Sequence, residues 1–209
     1  WDVPPGGIRF EDGQVHAGVS GEGEALYGRP FGEVVQWLID EGREPRLRYL
    51  YHAPETKPLG EGGDMHFAFG FSAQAAQVAV DPESGEVRVL RLVAAADGGR
   101  ALNPRALLGQ GEGGIVMGIG TALTEEYVLE DGIPRTRRWK DYDIPLVEDM
   151  PKMDIHLAEH PTSTGPYGAK GMGELPSIPT APAICNGIYN ATGVRVYSLP
   201  VRKEALTKR

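Results

Sequence analysis

Between Pro30 and Glu41 the apolar residues Phe31, Val34, Val35, Leu38 and Ile39 recur at i, i+3, i+4, i+7 and i+8. That spacing is one face of a helix, with Pro30 suited to its first turn and Gly42 to its end. From His66 to Ala96 the period falls to two and β-branched residues take over. Gln77-Val78-Ala79-Val80 and Val87-Arg88-Val89-Leu90-Arg91-Leu92-Val93 flank Asp81-Pro82-Glu83-Ser84-Gly85, which predicts an antiparallel hairpin. A smaller hairpin is predicted where Ile8-Arg9-Phe10 and Gln14-Val15 flank Asp12-Gly13.

Further along, Asn103 is placed to cap a helix with Pro104 at its first position, and Ile115, Val116, Ile119, Ala122 and Leu123 form its apolar stripe. Glycines 111, 113, 114, 118 and 120 fall inside this helix. Each would cost about 1 kcal/mol if exposed, so a close neighbour is implied, either a cofactor or another stretch of backbone. Strands are predicted at Glu126 to Leu129 and Met153 to Leu157, with Asp131-Gly132 and Asp141-Tyr142-Asp143-Ile144-Pro145 between them. Ala181, Ile184 and Ile188 then predict a last helix, starting near Ser177 to Thr180 and ended by Gly193. The pattern as a whole predicts an α+β fold, a mixed or antiparallel sheet covered by about three helices.

At 209 residues and 41% hydrophobic content, the chain can bury a real core. No apolar run is long enough to span a bilayer, and Trp1-Asp2-Val3-Pro4-Pro5 has neither the basic nor the apolar stretch of a signal peptide. These features point to the cytoplasm. The net charge of −8 argues against a nucleic-acid surface. The run Arg135-Thr136-Arg137-Arg138-Trp139-Lys140 reads as a solvated or partner-facing strand edge. Cys185, the single cysteine, leaves no internal disulfide and no cysteine-ligated cluster, and its place on an apolar helix face makes it a small core residue. His156 and His160 stand four apart, but one falls in a predicted strand and Pro161 follows the other, so helical metal-ligand geometry is not expected. A first residue that is not methionine, in what reads as mid-domain, suggests a piece of a longer polypeptide or a processed subunit.

The densest chemistry lies in Gly165-Pro-Tyr-Gly-Ala-Lys-Gly-Met-Gly-Glu174, a glycine-rich loop that ends in a carboxylate just ahead of a predicted helix. Such glycines allow positive φ and close approach to a ligand, and their amides can face an anion. On local sequence alone, a turn followed by an acid near a helix N-terminus explains the run equally well.

Three blocks together extend beyond local pattern. Gly168 to Glu174, followed by Pro182-Ala-Ile-Cys-Asn-Gly-Ile-Tyr-Asn-Ala-Thr-Gly-Val-Arg195 and Leu199-Pro200, resembles the C-terminal end of the molybdenum-binding subunit of the xanthine dehydrogenase and aldehyde oxidase family. Asp97-Gly98-Gly99, Asn103-Pro104 and Gly109-Gln-Gly-Glu-Gly-Gly-Ile-Val-Met-Gly-Ile-Gly120 resemble a second signature of that family, and Phe71-Ser-Ala-Gln-Ala75 with Val80-Asp81 and Ser84-Gly-Glu-Val87 a third. The blocks stand in the family's order and cover residues 64 to 204, with residues 1 to 63 as a hairpin and helix lead-in to a cofactor-binding domain fragment spanning 1 to 209.

The resemblance implies a molybdenum–pterin hydroxylase that oxidises an aldehyde or an N-heteroaromatic carbon with oxygen taken from water. It implies that Glu174 is the general base, taking a proton from a metal-bound hydroxyl, a role that needs a carboxylate within hydrogen-bond reach in a dry site. It places Gln110, with Gly111, at the pterin, and Lys170, Gly171, Met172 and Gly173 along the cofactor's anionic part. Lys170 read alone could equally be a solvated side chain. The cofactor implied is molybdopterin, in bacterial members commonly the cytosine dinucleotide. The partners implied are the N-terminal part of the molybdenum subunit, an iron–sulfur subunit and an FAD subunit. The family's glycine helix often carries a second glutamine where this chain has Met117. A second reading keeps the fold but makes the chain a non-catalytic module for cofactor insertion or subunit assembly. A hydrolase built on Glu174 is a weaker third, because no nucleophile or ligand cluster accompanies it.

Overall fold

The computed structural model of the chain describes residues 3–19 and 25–207. Trp1 and Asp2, part of the opening read above, lie outside the described residues. The chain divides into two compact units, Trp1–His52 and Ala53–Arg209, a division that falls eleven residues before the one drawn at 63/64 from the motifs.

The first unit is a three-stranded antiparallel sheet with one helix. Strands β1 (Ile8–Glu11) and β2 (Gln14–Val19) form the predicted hairpin, with Asp12 at φ 48 and Gly13 at φ 74 in the turn. Positive φ at both central residues gives the turn twist that matches antiparallel strands. A third strand, β3 (Ala25–Pro30), pairs with β2 and was not foreseen. Helix α1 (Phe31–Asp40) follows directly, and Gly42 at φ 73 ends it, its N–H donating to Ile39 O while Arg43 N donates to Leu38 O.

The second unit holds the main sheet and two long helices. Strands β4 (Ser72–Val80) and β5 (Val87–Ala96) are the predicted hairpin, extended at both outer ends and bulged between Gln77 and Val78. In its turn the Asp81 carboxylate accepts from the amides of Ser84 and Glu83, which lower its pKa. Helix α2 (Pro104–Leu123) starts as predicted, with the Asn103 side chain accepting from Ala106 N at 3.0 Å. Strands β6 (Leu129–Glu130) and β7 (Ile133–Pro134) form a two-stranded ribbon, and α3 (Trp139–Tyr142) is a single turn. Strand β8 (Lys152–Leu157) pairs in parallel with β5, giving the sheet order β4-β5-β8. Helix α4 (Thr180–Thr192) ends at Gly193 with φ 76. The fold is α+β with a mixed sheet.

Helices α2 and α4 cover one face of that sheet. Ile115, Ile119 and Ala122 from α2 meet Ala181, Ile184 and Ile188 from α4 over Leu92 and Ala94 of β5, and Val201 and Leu206 close the end. Leu92, Ile115, Ile184 and Ile188 are fully buried, each contributing about 1.5–3 kcal/mol of transfer free energy. Cys185 packs against this cluster, and burial pushes its thiol pKa up against the lowering effect of Arg195.

Two local expectations are corrected. The strand predicted at Glu126 to Leu129 is largely irregular. Val128 N donates to Thr136 Oγ1, and that hydroxyl donates to Glu126 O, so a side chain takes the place of ladder pairing and only Leu129–Glu130 is strand. The basic run 135–140 is not a strand edge. Arg135 pairs with Glu130, Arg138 with Asp141 in a two-point contact, and the run ends in α3.

Candidate active-site loop

The glycine-rich loop lies beside the C-terminal ends of β5 and β8 and is stitched to the chain leaving β5. Arg100 N donates to Gly168 O, Lys170 N donates to Gly98 O, and Gly99 and Ala169 form an isolated bridge. Gly99 sits at φ 67, and a Cβ there would overlap Gly168 O and lie 2.8 Å from Lys170 N, so both conformation and space require glycine. Within the loop only Gly168, at φ 89, uses the positive-φ freedom of glycine, and Tyr167 beside it also has positive φ, at 53.

Two side chains anchor the loop inward. Met172, 4% exposed, lies between the loop and the helix: a Cβ at Gly98 would be 3.1 Å from its Sδ, and a Cβ at Gly111 would be 3.5 Å from its Cε. Lys170 Nζ makes a 2.7 Å ion pair with Asp97 Oδ2, the two side chains being 11% and 4% exposed. Asp97 also accepts from Gly99 N at 2.9 Å and from His160 N at 3.4 Å. Burial alone would raise the Asp97 pKa. The Lys170 hydrogen bond, the two amides and the Lys170 charge together hold it below its ordinary value of 3.8.

Beyond Glu174 the chain is anchored again. Ser177 donates to Glu174 O through both its amide (3.0 Å) and its hydroxyl (2.7 Å). Gln74 Nε2 of β4 donates to Pro176 O at 2.6 Å, and the fully buried Thr180 donates its hydroxyl to Gln74 Oε1 at 2.7 Å and Pro176 O at 3.0 Å. Leu175, next to Glu174, fills the space over Gly70, where a Cβ would be 3.1 Å from Leu175 Cδ2.

What remains outside these anchors is a short exposed strip of Gly171, Gly173 and Glu174, and a Cβ at either glycine would meet nothing within 4 Å. The neighbouring face of α2 has the same character. Gln110 is exposed, and a Cβ at Gly109 or Gly113 would likewise meet nothing within 4 Å. Among the described residues, neither the Gln110 amide nor the Glu174 carboxylate has a hydrogen-bond or ion-pair partner.

The other glycines of α2 have protein neighbours. A Cβ at Gly111 would be 3.1 Å from Ile155 Cδ1, one at Gly114 would be 2.9 Å from Pro176 Cβ, one at Gly118 would overlap Thr180, and one at Gly120 would overlap Glu125. For Gly111, Gly114, Gly118 and Gly120 the expected close neighbour is therefore protein, whereas Gly113 has none among the described residues. The inward glycines serve α2 packing against β8 and the 176–180 segment, while Gly109 and Gly113 face open space.

The structure sets Gly111 of α2 against the Met172 side chain, leaves Gln110, Gly171, Gly173 and Glu174, next to that contact in sequence, exposed, and turns Lys170 into the protein toward Asp97. Sequence reasoning noticed Asp97 and Gln74 only as parts of motifs and Thr180 only as a bound of the last helix, and assigned none of them a role. A carboxylate at the end of a buried apolar strand, followed by two glycines, was the available signal for Asp97. Open space over glycine backbone at 109, 113, 171 and 173, and an exposed Gln110 amide that both donates and accepts, are features a planar heteroaromatic such as a pterin can use, so the residues present fit that group.

Comparison with known proteins agrees in family. Residues 1–151 match the family model described as molybdopterin cofactor-binding domain. The gamma subunit of the 6-hydroxypseudooxynicotine dehydrogenase complex of Paenarthrobacter nicotinovorans is 38% identical over 149 residues, covering 69% of this chain and 18% of that one. The aldehyde oxidoreductase molybdenum-binding subunit PaoC of Escherichia coli (strain K12) is 37% identical over 139 residues, 65% of this chain and 19% of that one. The crystal structure of quinoline 2-oxidoreductase from Pseudomonas putida 86 superposes with a TM-score of 0.69 at 28% identity, over 96% of this chain and 25% of that one. The chain spans under a fifth of the length of these two curated relatives. No helix among the described residues is long and apolar enough to cross a membrane.

Proposed function

Because the chain belongs to the molybdopterin cofactor-binding domain family, we propose that it is the part of a molybdenum hydroxylase subunit that carries the proton-accepting carboxylate, Glu174. The substrate class is an aldehyde or an N-heteroaromatic carbon, with water as the oxygen source. The observation that carries this reading is the division of labour within the motifs. Inward motif residues are consumed by packing, whereas Glu174 and Gln110 are exposed and unpartnered among the described residues. Exposed groups that contribute nothing to the fold are the ones a ligand would use.

In this reading the bound molybdopterin supplies the two-electron oxidation. Gln110 hydrogen-bonds the pterin edge, and Gly171, Met172 and Gly173 present backbone along it, the Met172 side chain being occupied in packing. Glu174 accepts the proton released when the water-derived hydroxyl adds to the substrate carbon. Its carboxylate gains the dry surroundings such a base needs from polypeptide packed over the exposed strip. Lys170 supports the loop from beneath, through Asp97. The cofactor is the cytosine dinucleotide form, electrons leave through iron–sulfur and FAD partners, the rest of the molybdenum subunit completes the site, and the enzyme works in the cytoplasm.

The test is Glu174→Gln in the assembled enzyme, with molybdenum content and hydroxylase turnover measured against an artificial electron acceptor. Full metal content with turnover reduced by about 10²–10⁴-fold or more supports the base role. Full metal content with unchanged turnover refutes it. The module for cofactor insertion or subunit assembly is the alternative, and it is favoured if no assembly containing this chain holds metal.

A further inference from the structure

We propose that Asp97 is a positioning residue for the loop that presents Glu174, acting through Lys170. The inference rests on the role proposed for Glu174, and the closing experiment separates the two.

Asp97 stands where three segments meet. Its amide donates to Phe71 O at the start of β4, it follows the last residue of β5, and its Oδ1 accepts from His160 N in the segment leaving β8. Ala158 N donates to Ala96 O, carrying the β5–β8 pairing up to this point. The side chain is 3% exposed as a residue, and its oxygens are occupied by Lys170 Nζ, Gly99 N and His160 N. One carboxylate therefore ties the ends of the sheet to the glycine-rich loop.

The direction of the loop explains why this tie governs Glu174. Lys170 and Met172 point inward, while Gly171, Gly173 and Glu174 are exposed. Lys170 holds by charge and Met172 by packing. Between Met172 and Glu174 lies only Gly173, where a Cβ would meet nothing within 4 Å. On the other side, Ser177 and Gln74 hold the carbonyls of Glu174 and Pro176. Losing the Asp97 carboxylate removes the side-chain polar anchor on the upstream side, leaves only the backbone bonds of Gly168 and Lys170 there, and strands a lysine charge in a buried position, so the loop must move to hydrate it. A displacement of about 1 Å at a reacting group costs about 10²-fold in rate.

The experiment uses the assembled enzyme with Asp97→Asn, Lys170→Met, the double variant, and Glu174→Gln in parallel. It reads molybdenum content, amide hydrogen exchange of residues 165–174 against α4, and kcat and KM. For Asp97→Asn the expected result is exchange in 165–174 faster by about tenfold with α4 unchanged, kcat lower by about 10²-fold, and KM within about threefold. Removing the stranded charge in the double variant should restore much of the protection and kcat, a rescue that a merely structural core residue would not show. Should Asp97→Asn fail to assemble, the comparison of Lys170→Met with Lys170→Arg takes its place, with arginine expected to keep protection and methionine to lose it. Unchanged loop exchange in Asp97→Asn, or in Lys170→Met where that comparison stands in, overturns the proposal whatever happens to turnover. If Glu174→Gln is fully active, the base role fails, while the exchange data still decide whether Asp97 sets the loop.

Discussion

Two glycine-to-alanine substitutions on the same helix should have opposite effects. Gly113 and Gly118 are both interior to α2 and neither has positive φ, so the backbone of each accepts alanine. At Gly113 a Cβ meets nothing within 4 Å, and the helix gains about 1 kcal/mol from the better helix former. At Gly118 the same methyl overlaps Thr180, with Oγ1 at 2.8 Å and Cγ2 at 2.9 Å. Thr180 is fully buried and hydrogen-bonded to Gln74 and Pro176, so it cannot turn aside without losing those bonds. Overpacking of about 1–3 kcal/mol and about 1 kcal/mol of weakened hydrogen bonding, set against about 1 kcal/mol of helix propensity, leave Gly118→Ala destabilised by about 1–3 kcal/mol. Thermal unfolding followed by far-ultraviolet circular dichroism should show Gly113→Ala raised by about 2–4 °C and Gly118→Ala lowered by about 2–12 °C. A Gly118→Ala protein at least as stable as Gly113→Ala would refute the packing argument. The assembled enzyme adds a second arm, because the methyl at Gly113 lies on the face assigned to the cofactor. Gly113→Ala should lower molybdenum content while stabilising the chain, and full loading would remove that face from the proposed site.

Two further outcomes follow from single contacts. Replacing Asn103 by alanine deletes the cap to Ala106 N and should cost about 0.5–2 kcal/mol in chemical denaturation, with the glycine variant recovering most of the loss. Because folding holds the Asp97 carboxyl below 3.8, its stabilisation is complete above that value and is lost as pH falls through its lowered folded value. Stability titrations below about pH 4 should therefore fall more steeply for wild type than for Asp97→Asn, and parallel curves would show that the carboxylate is not preferentially stabilised by folding.

The features readable in the sequence were those encoded locally. Asn103 with Pro104, the Asp12-Gly13 turn and the alternation through β4 and β5 each specify their element within a few residues, and the structure has them in place. The misreadings have long-range causes. Strand β3 contains Gly28 and ends at Pro30, residues that weaken a strand signal, yet Gly28 lets the chain pass His16, whose Nδ1 would be 3.3 Å from a Cβ there. Residues 126–129 contain the strand formers Tyr127 and Val128, but Thr136 takes up the Val128 amide and the Glu126 carbonyl. Parallel pairing of β8 with β5 joins residues about sixty positions apart, which no window of local pattern can reveal.

The candidate site was legible in the same uneven way, and the reason bears on how far motifs can be trusted. Gly99 is required by Gly168 O and Lys170 N, Gly111 by Ile155, Gly114 by Pro176 and Gly118 by Thr180. The second block of the resemblance therefore consists largely of residues whose neighbours are protein, Gly168 and Lys170 of the first block among them, so these two blocks are coupled by packing before any ligand is considered. A chain that kept the fold and lost the chemistry would be under the same steric demands at these glycines. Such residues identify the fold and say little about activity. Gln110 and Glu174 are different, because the described structure asks nothing of their side chains. Exchanging Glu174 for glutamine should leave the fold untouched, which makes turnover at full metal content a clean readout of chemistry. Asp97 and Lys170 lie between these classes: buried and paired like packing residues, but joined to the loop that carries the acid. Their loss should register first as motion in that loop and only through it as rate, and that order of effects is what separates a support from a reacting group.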